Sequence, residues 1–348
     1  VPSSERDLTV AVTGPTGTFG FGLVPLLQAD ERVARVVGIA RRPFDPADYG
    51  WTKLAYRRGD VRDPGALQEA FSGADVVVHL AFQVVGAASQ ETITAINVDG
   101  TLNAFRAAAS AGVRRFVYAS SVAAYGFYAD NPVGMTEEWP VRPAARLFYA
   151  QEKAELEAAL RGEAAKSPEL ALYLLRPSVV LGPHAVGGKA VLLGPLGQLA
   201  RLARWASRLP VPVLVPALPL QLVHEEDMGG ALMQCVVASG PAGVYNIAAD
   251  GIVTAVDVAR ELGLLPVPLP AGPAQAAARA VAAVPFLPPV AGWVEAVSHP
   301  AIMDTTRAKR QLGWTPRFTA LETLRDTLRG PELRSGHDRD EIDDRGVS

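Results

Sequence analysis

Tyr149 and Lys153 open and close the run Tyr149-Ala150-Gln151-Glu152-Lys153, and residues 151–160 are strongly helical in composition. A spacing of i and i+4 puts a phenol and an ammonium on one helix face. A phenol with an ordinary pKa of ~10 is a poor base at neutral pH, and a neighbouring positive charge favours the phenolate. Such a pair suits proton transfer, although the same spacing also describes an ordinary amphipathic surface pair. Ser120 and Ser121 give it a context, because they end the buried-type, strand-like run 116–121. A serine at a strand end hydrogen-bonds a substrate oxygen readily; its plainer use is to cap a turn.

A second group of residues concerns binding. Residues 8–12 read as a short apolar strand, followed by Thr13-Gly14-Pro15-Thr16-Gly17-Thr18-Phe19-Gly20 and a helical pattern through Leu27. Glycines at 14, 17 and 20 permit a tight turn and let backbone N–H groups approach a pyrophosphate at a helix N-terminus. Pro25 inside that helix predicts a kink. The next strand, 36–40, ends in Ala40-Arg41-Arg42. An acid there would accept from a ribose 2′-hydroxyl, whereas arginine pairs with a 2′-phosphate. Arg41 and Arg42 therefore predict NADP, with NAD as the alternative; two solvated surface arginines are the bland reading. Asp60 and Val61 are expected beside the adenine.

These residues need a scaffold, and the 348-residue chain is long enough for one large domain or two interlocked ones. With 49% hydrophobic and 20% charged residues, its composition is that of a folded, core-forming protein. A net charge of −3 gives no general attraction to nucleic acid or anionic lipid. One cysteine, Cys235, excludes an internal disulfide framework, and the five histidines lack ligand-like spacing, so no metal site is expected. The polar start lacks a signal-peptide pattern, and the proline-broken stretches 209–223 and 262–278 are too short to span a bilayer. A cytoplasmic protein with no membrane partner is expected.

Apolar strands 75–81, 116–120 and 170–176 alternate with helical blocks such as 98–111. That alternation predicts an α/β fold, a doubly wound parallel Rossmann sheet. Residues 1–181 are expected to form the dinucleotide-binding domain, with returns near 222–250, at Val223 and Tyr245. The Gly- and Pro-rich segments 182–221 and 251–329 are expected to form a smaller substrate-binding lobe. The charge-dense end, 330–348, is expected to be a flexible tail.

With these marks the chain resembles the extended short-chain dehydrogenases/reductases, of the NAD-dependent epimerase/dehydratase family. The resemblance runs from about Leu8 to about Phe318. It is carried by residues 13–20, Gly59-Asp60-Val61, His79-Leu80-Ala81, Asn97-Val98-Asp99-Gly100-Thr101, Ser120-Ser121 with Tyr125-Gly126, Tyr149 with Lys153, Leu175-Arg176-Pro177, Val223-His224 with Asp227, and Leu312-Gly313-Trp314. It implies that Tyr149 is the acid/base, and that Lys153 binds the nicotinamide ribose and lowers the tyrosine pKa. It implies that Ser121, rather than Ser120, is the catalytic serine, and that Asn97 supports the proton relay. Gly14, Thr16, Gly17, Thr18, Phe19 and Gly20 would hold the pyrophosphate, Leu80, Ala81 and Ala119 would line the cofactor, and residues from Pro177 to Val180 would cover the nicotinamide. Phe82 and Gln83 are expected beside the substrate with Ser121 and Tyr149. His224 and Asp227 read as structural. Pairing of two copies through 98–111 and 149–160 is the assembly the resemblance suggests.

The shared machinery serves two enzyme classes. One is a simple oxidoreductase acting on a carbonyl or alcohol; the other is a nucleotide-sugar epimerase that retains its cofactor. A non-catalytic dinucleotide sensor is a third reading. Ser121-Val122-Ala123 lacks the acid that dehydratases of this family carry there, which disfavours that subclass. The mostly apolar stretch 181–222 predicts a fairly hydrophobic small-molecule substrate. Arg201, Arg204 and Arg208 could grip a phosphate but read better as a solvated helix face, and 285–293 could border the substrate. These features favour the NADP-dependent oxidoreductase.

Overall fold

The computed structural model describes residues 7–84, 89–189, 212–216, 218–269 and 299–329. Its centre is a seven-stranded sheet formed by β1 (Leu8–Thr13), β2 (Val33–Ala40), β3 (Leu54–Arg58), β4 (Val76–His79), β5 (Arg115–Ala119), β6 (Ala171–Pro177) and β11 (Gly243–Ile247). The strands lie in the order β11-β6-β5-β4-β1-β2-β3, and every pairing is parallel. The fold is the doubly wound Rossmann type that the alternation of blocks predicts. Chain order reverses between β1 and β4, and such a reversal opens a crevice at the carboxyl ends of the strands.

The strands read as continuous apolar runs because both faces are covered. Val10, Val12, Val76, Val78, Val117, Tyr173 and Leu175 face one core, packed by α1 (Thr18–Ala29) and α6 (Glu225–Val236). Ala11, Val77, Phe116, Tyr118 and Leu174 face the other, packed by α2 (Pro64–Phe71), α4 (Gly100–Ser110) and α5 (Phe148–Ala164). The period-2 split is the pleat of the sheet at work.

Helix α1 runs unbroken through Pro25, whose ring lies on the exposed side. The helical pattern at 98–111 resolves into α4, starting at Gly100, preceded by the short helix α3 (Gln90–Thr94) and a wide π-type turn, Ala95–Asp99, that buries Asn97. Tyr245 returns to the central sheet, but Val223 does not. Val223 lies in β10 (Leu222–His224), which pairs in parallel with β7 (Val179–Leu181), the short strand that follows β6. The later elements include β8 (Pro212–Pro216), β9 (Pro219–Leu220), β12 (Val253–Thr254), α7 (Ala255–Glu261), β13 (Leu265–Leu269) and α8 (Ala320–Arg329). They make two further two-stranded pairs, β12 with β9 and β13 with β8. Arg201, Arg204, Arg208, residues 285–293 and the segment 330–348 lie outside the described residues. No helix among the described residues is long and apolar enough to cross a membrane.

Helices α1 and α6 touch backbone to backbone through facing glycines. A Cβ on Gly22 would lie 2.0 Å from the Glu225 carbonyl oxygen, and one on Gly229 would lie 2.0 Å from the Gly22 oxygen. Neither obstacle is a flexible side chain, so any added methyl must push the helices apart. Gly229→Ala is expected to lower unfolding stability by about 1–3 kcal/mol, as overpacking typically does. A urea titration with an unchanged slope and a lower midpoint would show it.

Candidate active site

The turn after β1 is held by close approach. Gly14 adopts φ +69, and a Cβ there would come within 3.0 Å of the Ala81 nitrogen. Only glycine lets the chain leave β1 so near the end of β4. A Cβ on Gly20 would fall 2.1 Å from the Pro15 oxygen, so the first turn of α1 packs directly on the loop. Gly17 is the N-cap and offers no side chain to the first-turn N–H groups, and no acid lies in that turn. Thr16, Thr18 and Phe19 remain part-exposed around it. A pyrophosphate fits: the backbone donors lack a side-chain cap, and bulk that would block its approach is absent.

Behind this loop lies a buried polar relay. Thr13 and His79 are cross-strand partners in β1 and β4. The Thr13 hydroxyl oxygen accepts from the Leu80 and Ala81 N–H groups at 3.1 and 3.2 Å, which leaves its proton for His79 Nδ1 at 2.9 Å. The Thr101 hydroxyl donates to the Asn97 carbonyl, so it accepts from His79 Nε2 at 3.0 Å. The pattern requires a neutral imidazole protonated at Nε2. Burial, helped by the Lys153 charge, pushes the His79 pKa down to about 3. This relay fixes the backbone of Leu80 and Ala81, two expected cofactor-lining residues.

At the ends of β5 and α5 the expected reactive groups come together. Ser121 caps a 3₁₀ turn, Val122–Tyr125, by accepting from the Ala123 N–H at 3.1 Å. Its own proton is then available to the Tyr149 phenol, whose pKa it holds down. Ser120 points the other way, donating at 2.6 Å to Glu157, whose carboxylate pairs with the buried Arg176. The two serines are thus separated by the alternation of an extended chain: one faces the tyrosine, the other a buried ion pair.

Lys153 is buried, and its ammonium donates to the Ala119 carbonyl at 2.8 Å and the Tyr118 hydroxyl at 3.1 Å. The Phe82 ring lies 3.5 Å from the same nitrogen and packs edge-on against Tyr149 at 5.7 Å. Burial lowers the Lys153 pKa to about 7, opposed by the charges of Glu152 and Glu157. Burial also raises the Tyr149 pKa, with the Ser121 hydrogen bond opposing it. The Lys153 ammonium lies 5.8 Å from the centre of the Tyr149 ring. That ammonium is turned toward Tyr118 and Ala119, and desolvation dominates both groups.

The opposite wall is tied to the same centre. Asn97 is buried; its carbonyl oxygen accepts from the Gln83 N–H at 2.8 Å, and its amide donates to the Gln83 carbonyl at 3.0 Å and to Glu152 at 2.8 Å. The Gln83 side chain accepts from Arg41 at 3.3 Å, at the end of β2. Arg42 is exposed beside it. Asp60 is taken up by Arg62 through two side-chain bonds of 2.8 and 3.1 Å, and Arg62 lowers its pKa. Val61 is buried under α4, where a Cβ on Gly100 would meet it at 2.5 Å. Pro177 ends β6 and Val180 lies in β7, both buried. His224 and Asp227 serve as latches: His224 stacks on Phe318 at 4.0 Å, and Asp227 accepts from the Arg317 and Phe318 N–H groups at 2.9 and 3.1 Å.

Sequence reasoning missed Thr13, Thr101, Tyr118, Glu152 and Glu157 as parts of this site. Glu152 and Glu157 carried a usable signal, since each lies within one turn of Lys153 on a helix that must bury that lysine.

A sequence profile of the NAD dependent epimerase/dehydratase family matches residues 10–215. An uncharacterized protein of Mycobacterium tuberculosis is 28% identical over 330 residues, 93% of this chain and 84% of that protein. UDP-glucose 4-epimerase 2 of Oryza sativa subsp. japonica is 32% identical over 200 residues, 54% of this chain and 48% of its own. Sterol demethylase protein B of Methylococcus capsulatus is 32% identical over 179 residues, 51% of this chain and 52% of its own. Among solved structures, the UDP-glucose 4-epimerase of Thermotoga maritima with UDP-glucose superposes with a TM-score of 0.71 at 20% identity, covering 95% of this chain and all (100%) of that one. That likeness shows the fold.

The relay makes a prediction about acid stability. His79 stays neutral in the folded chain down to about pH 3, whereas it takes up a proton below its ordinary 6.5 when unfolded. Its contribution to stability is therefore lost as pH falls from 6.5 toward 3, by on the order of a few kcal/mol. In His79→Gln, unfolding free energies measured across that window should fall less steeply with acid than in the parent.

Proposed function

The chain belongs to the NAD dependent epimerase/dehydratase family, and from that premise we propose that it is an oxidoreductase transferring hydride between NADP(H) and a carbonyl or alcohol carbon of a fairly apolar small molecule. The observation that carries the reading is the convergence of Ser121, whose hydroxyl holds down the pKa of the Tyr149 phenol, with Tyr149 and with Lys153 one turn further along the same helix. When bound, the nicotinamide supplies the hydride donor or acceptor. In this reading the Tyr149 oxygen gives a proton to, or takes one from, the substrate oxygen, and Ser121 orients that oxygen by hydrogen bonding. Lys153 binds the ribose hydroxyls and contributes positive charge beside the phenol. Phe82 and Gln83 border the substrate.

The choice of NADP(H) is supported by the exposed pair Arg41 and Arg42 at the end of β2 and by the pairing of Asp60 with Arg62. A dissociable NADPH suits net reduction, whereas a retained NAD suits epimerisation. The second reading, a nucleotide-sugar epimerase, is favoured by the likeness to a UDP-glucose 4-epimerase over 54% of the chain. The likeness to sterol demethylase protein B favours the oxidoreductase and an apolar substrate.

Mixing the protein with NADPH and a panel of aldehydes and ketones separates the two readings. Stoichiometric loss of reduced-nicotinamide absorbance is expected; conversion of a UDP- or GDP-sugar with no net cofactor change would overturn it. Within that assay Tyr149→Phe should lower kcat by several orders of magnitude, with cofactor affinity little changed. Ser121→Ala should cost roughly 10²–10⁴-fold in rate. Ser120→Ala should leave turnover nearly intact and cost about 1–2 kcal/mol of stability, because its hydrogen bond serves the buried Glu157. Equal rate losses for the two serine variants would contradict the assignment.

A further inference from the structure

The strand next to β2 carries a group that the glycine turn and the Arg41–Arg42 pair leave unused. β2 and β3 pair so that Gly38 lies opposite Tyr56 and Ala40 opposite Arg58. These four residues share one sheet face. It is the face of the glycine turn, because a Cβ on Gly38 would come within 3.0 Å of the Pro15 ring. Ala40 occupies the strand-end position from which an acid would reach a ribose 2′-hydroxyl. Its methyl leaves that space open, and its cross-strand neighbour is an arginine.

The backbone around this point is pinned from β3. The Tyr56 hydroxyl is shared between the carbonyls of Ala40 and Arg42. Arg58 Nε donates to the Arg41 carbonyl at 3.0 Å, and the Gly59 N–H donates to the Ala40 carbonyl at 3.0 Å. With their carbonyls engaged toward β3, Arg41 and Arg42 keep exposed side chains at the strand end, and Arg58 lies exposed beside them. The nearby carboxylate, Asp60, is neutralised by its bidentate pairing with Arg62. Positive charge at this spot is therefore in excess, at a place where a vicinal diol alone would need an acceptor.

We infer that Arg58 completes, with Arg41 and Arg42, a clamp for a phosphate monoester on the 2′-oxygen of an adenosine, and that Tyr56 is the positioning residue that sets its geometry. The inference rests on the NADP(H) reading and adds to it a determinant borne by the neighbouring strand. A fork that already spends Nε on a carbonyl still presents its terminal nitrogens, so a phosphate oxygen can be bound without reorganising the loop. An edge-strand charge that merely discourages strand pairing would have the same exposure but no preference for a phosphorylated ribose.

The test is calorimetric titration of the full chain with 2′,5′-ADP and with 5′-AMP, which differ only in the 2′-phosphate. The parent should bind 2′,5′-ADP at least tenfold more tightly, with a preference that shrinks as salt rises. Arg58→Gln should weaken 2′,5′-ADP by on the order of 10–100-fold, the loss typical of a charge-assisted phosphate contact, while 5′-AMP stays within about twofold. Arg58→Lys should recover part of the loss. Tyr56→Phe should reduce the ratio of the two affinities several-fold while leaving 5′-AMP unchanged, a shift that a general loss of stability would not produce. An unaltered ratio in Arg58→Gln overturns the clamp and leaves the NADP(H) reading standing. A parent with no preference between the two probes overturns both.

Discussion

A lysine ammonium withdrawn from water sets the terms for everything around it. Lys153 is buried, and its pKa falls to about 7 because a charge in that position loses its hydration. A buried cation persists only where fixed dipoles and counter-charges replace the water. Here the Ala119 carbonyl, the Tyr118 hydroxyl and the face of Phe82 surround it, with Glu152 and Glu157 beside it on the helix. Each of those groups is in turn held. Glu157 is fixed by Ser120 and Arg176, Glu152 by Asn97 and Thr94, and Phe82 by the paired hydrogen bonds between Asn97 and Gln83. The polar interior of this region follows from the need to keep one amine in place beside one phenol.

The sheet supplies the second constraint. Parallel strands end together, so residues far apart in sequence meet at one edge: Gly14 after β1, Arg41 after β2, Leu80 and Ala81 after β4, Ser121 after β5. The Thr13–His79–Thr101 relay ties the first and fourth strands to α4 across the point where strand order reverses. It rigidifies the crevice floor with a neutral imidazole and brings no charge of its own. The continuous path from Arg41 through Gln83 and Asn97 to Glu152 joins the two ends of the crevice in one hydrogen-bonded framework.

Much of this is legible in the sequence alone. The strands announce themselves as apolar runs, the glycine turn by its position between strand and helix, and the Tyr149–Lys153 pair because both residues share one helix. Local periodicity carries that information. What it does not carry is partnership over distance: Thr13 and His79 are separated by 66 positions, and Glu157 and Arg176 by 19, with only the sheet register bringing each pair together. The direction of Lys153 was also hidden. Spacing placed it near Tyr149, but which acceptors it chose depends on the Tyr118 hydroxyl and the Ala119 carbonyl on another strand. The placement of Val223 in a separate two-stranded pair was missed for a related reason, since a three-residue apolar strand carries no mark of which neighbour it joins.

The central claim is that this crevice moves hydride and proton between a dinucleotide and a substrate carbon, with Tyr149 handling the proton. The most direct measurement follows isotope. NADPH deuterated at its transferable position is incubated with the protein and a carbonyl substrate, and the product is analysed by mass spectrometry and NMR. The account predicts deuterium on the product carbon that bore the oxygen, lost in Tyr149→Phe. Turnover whose product carries no label, or label that stays in the dinucleotide while a sugar is inverted, would contradict it.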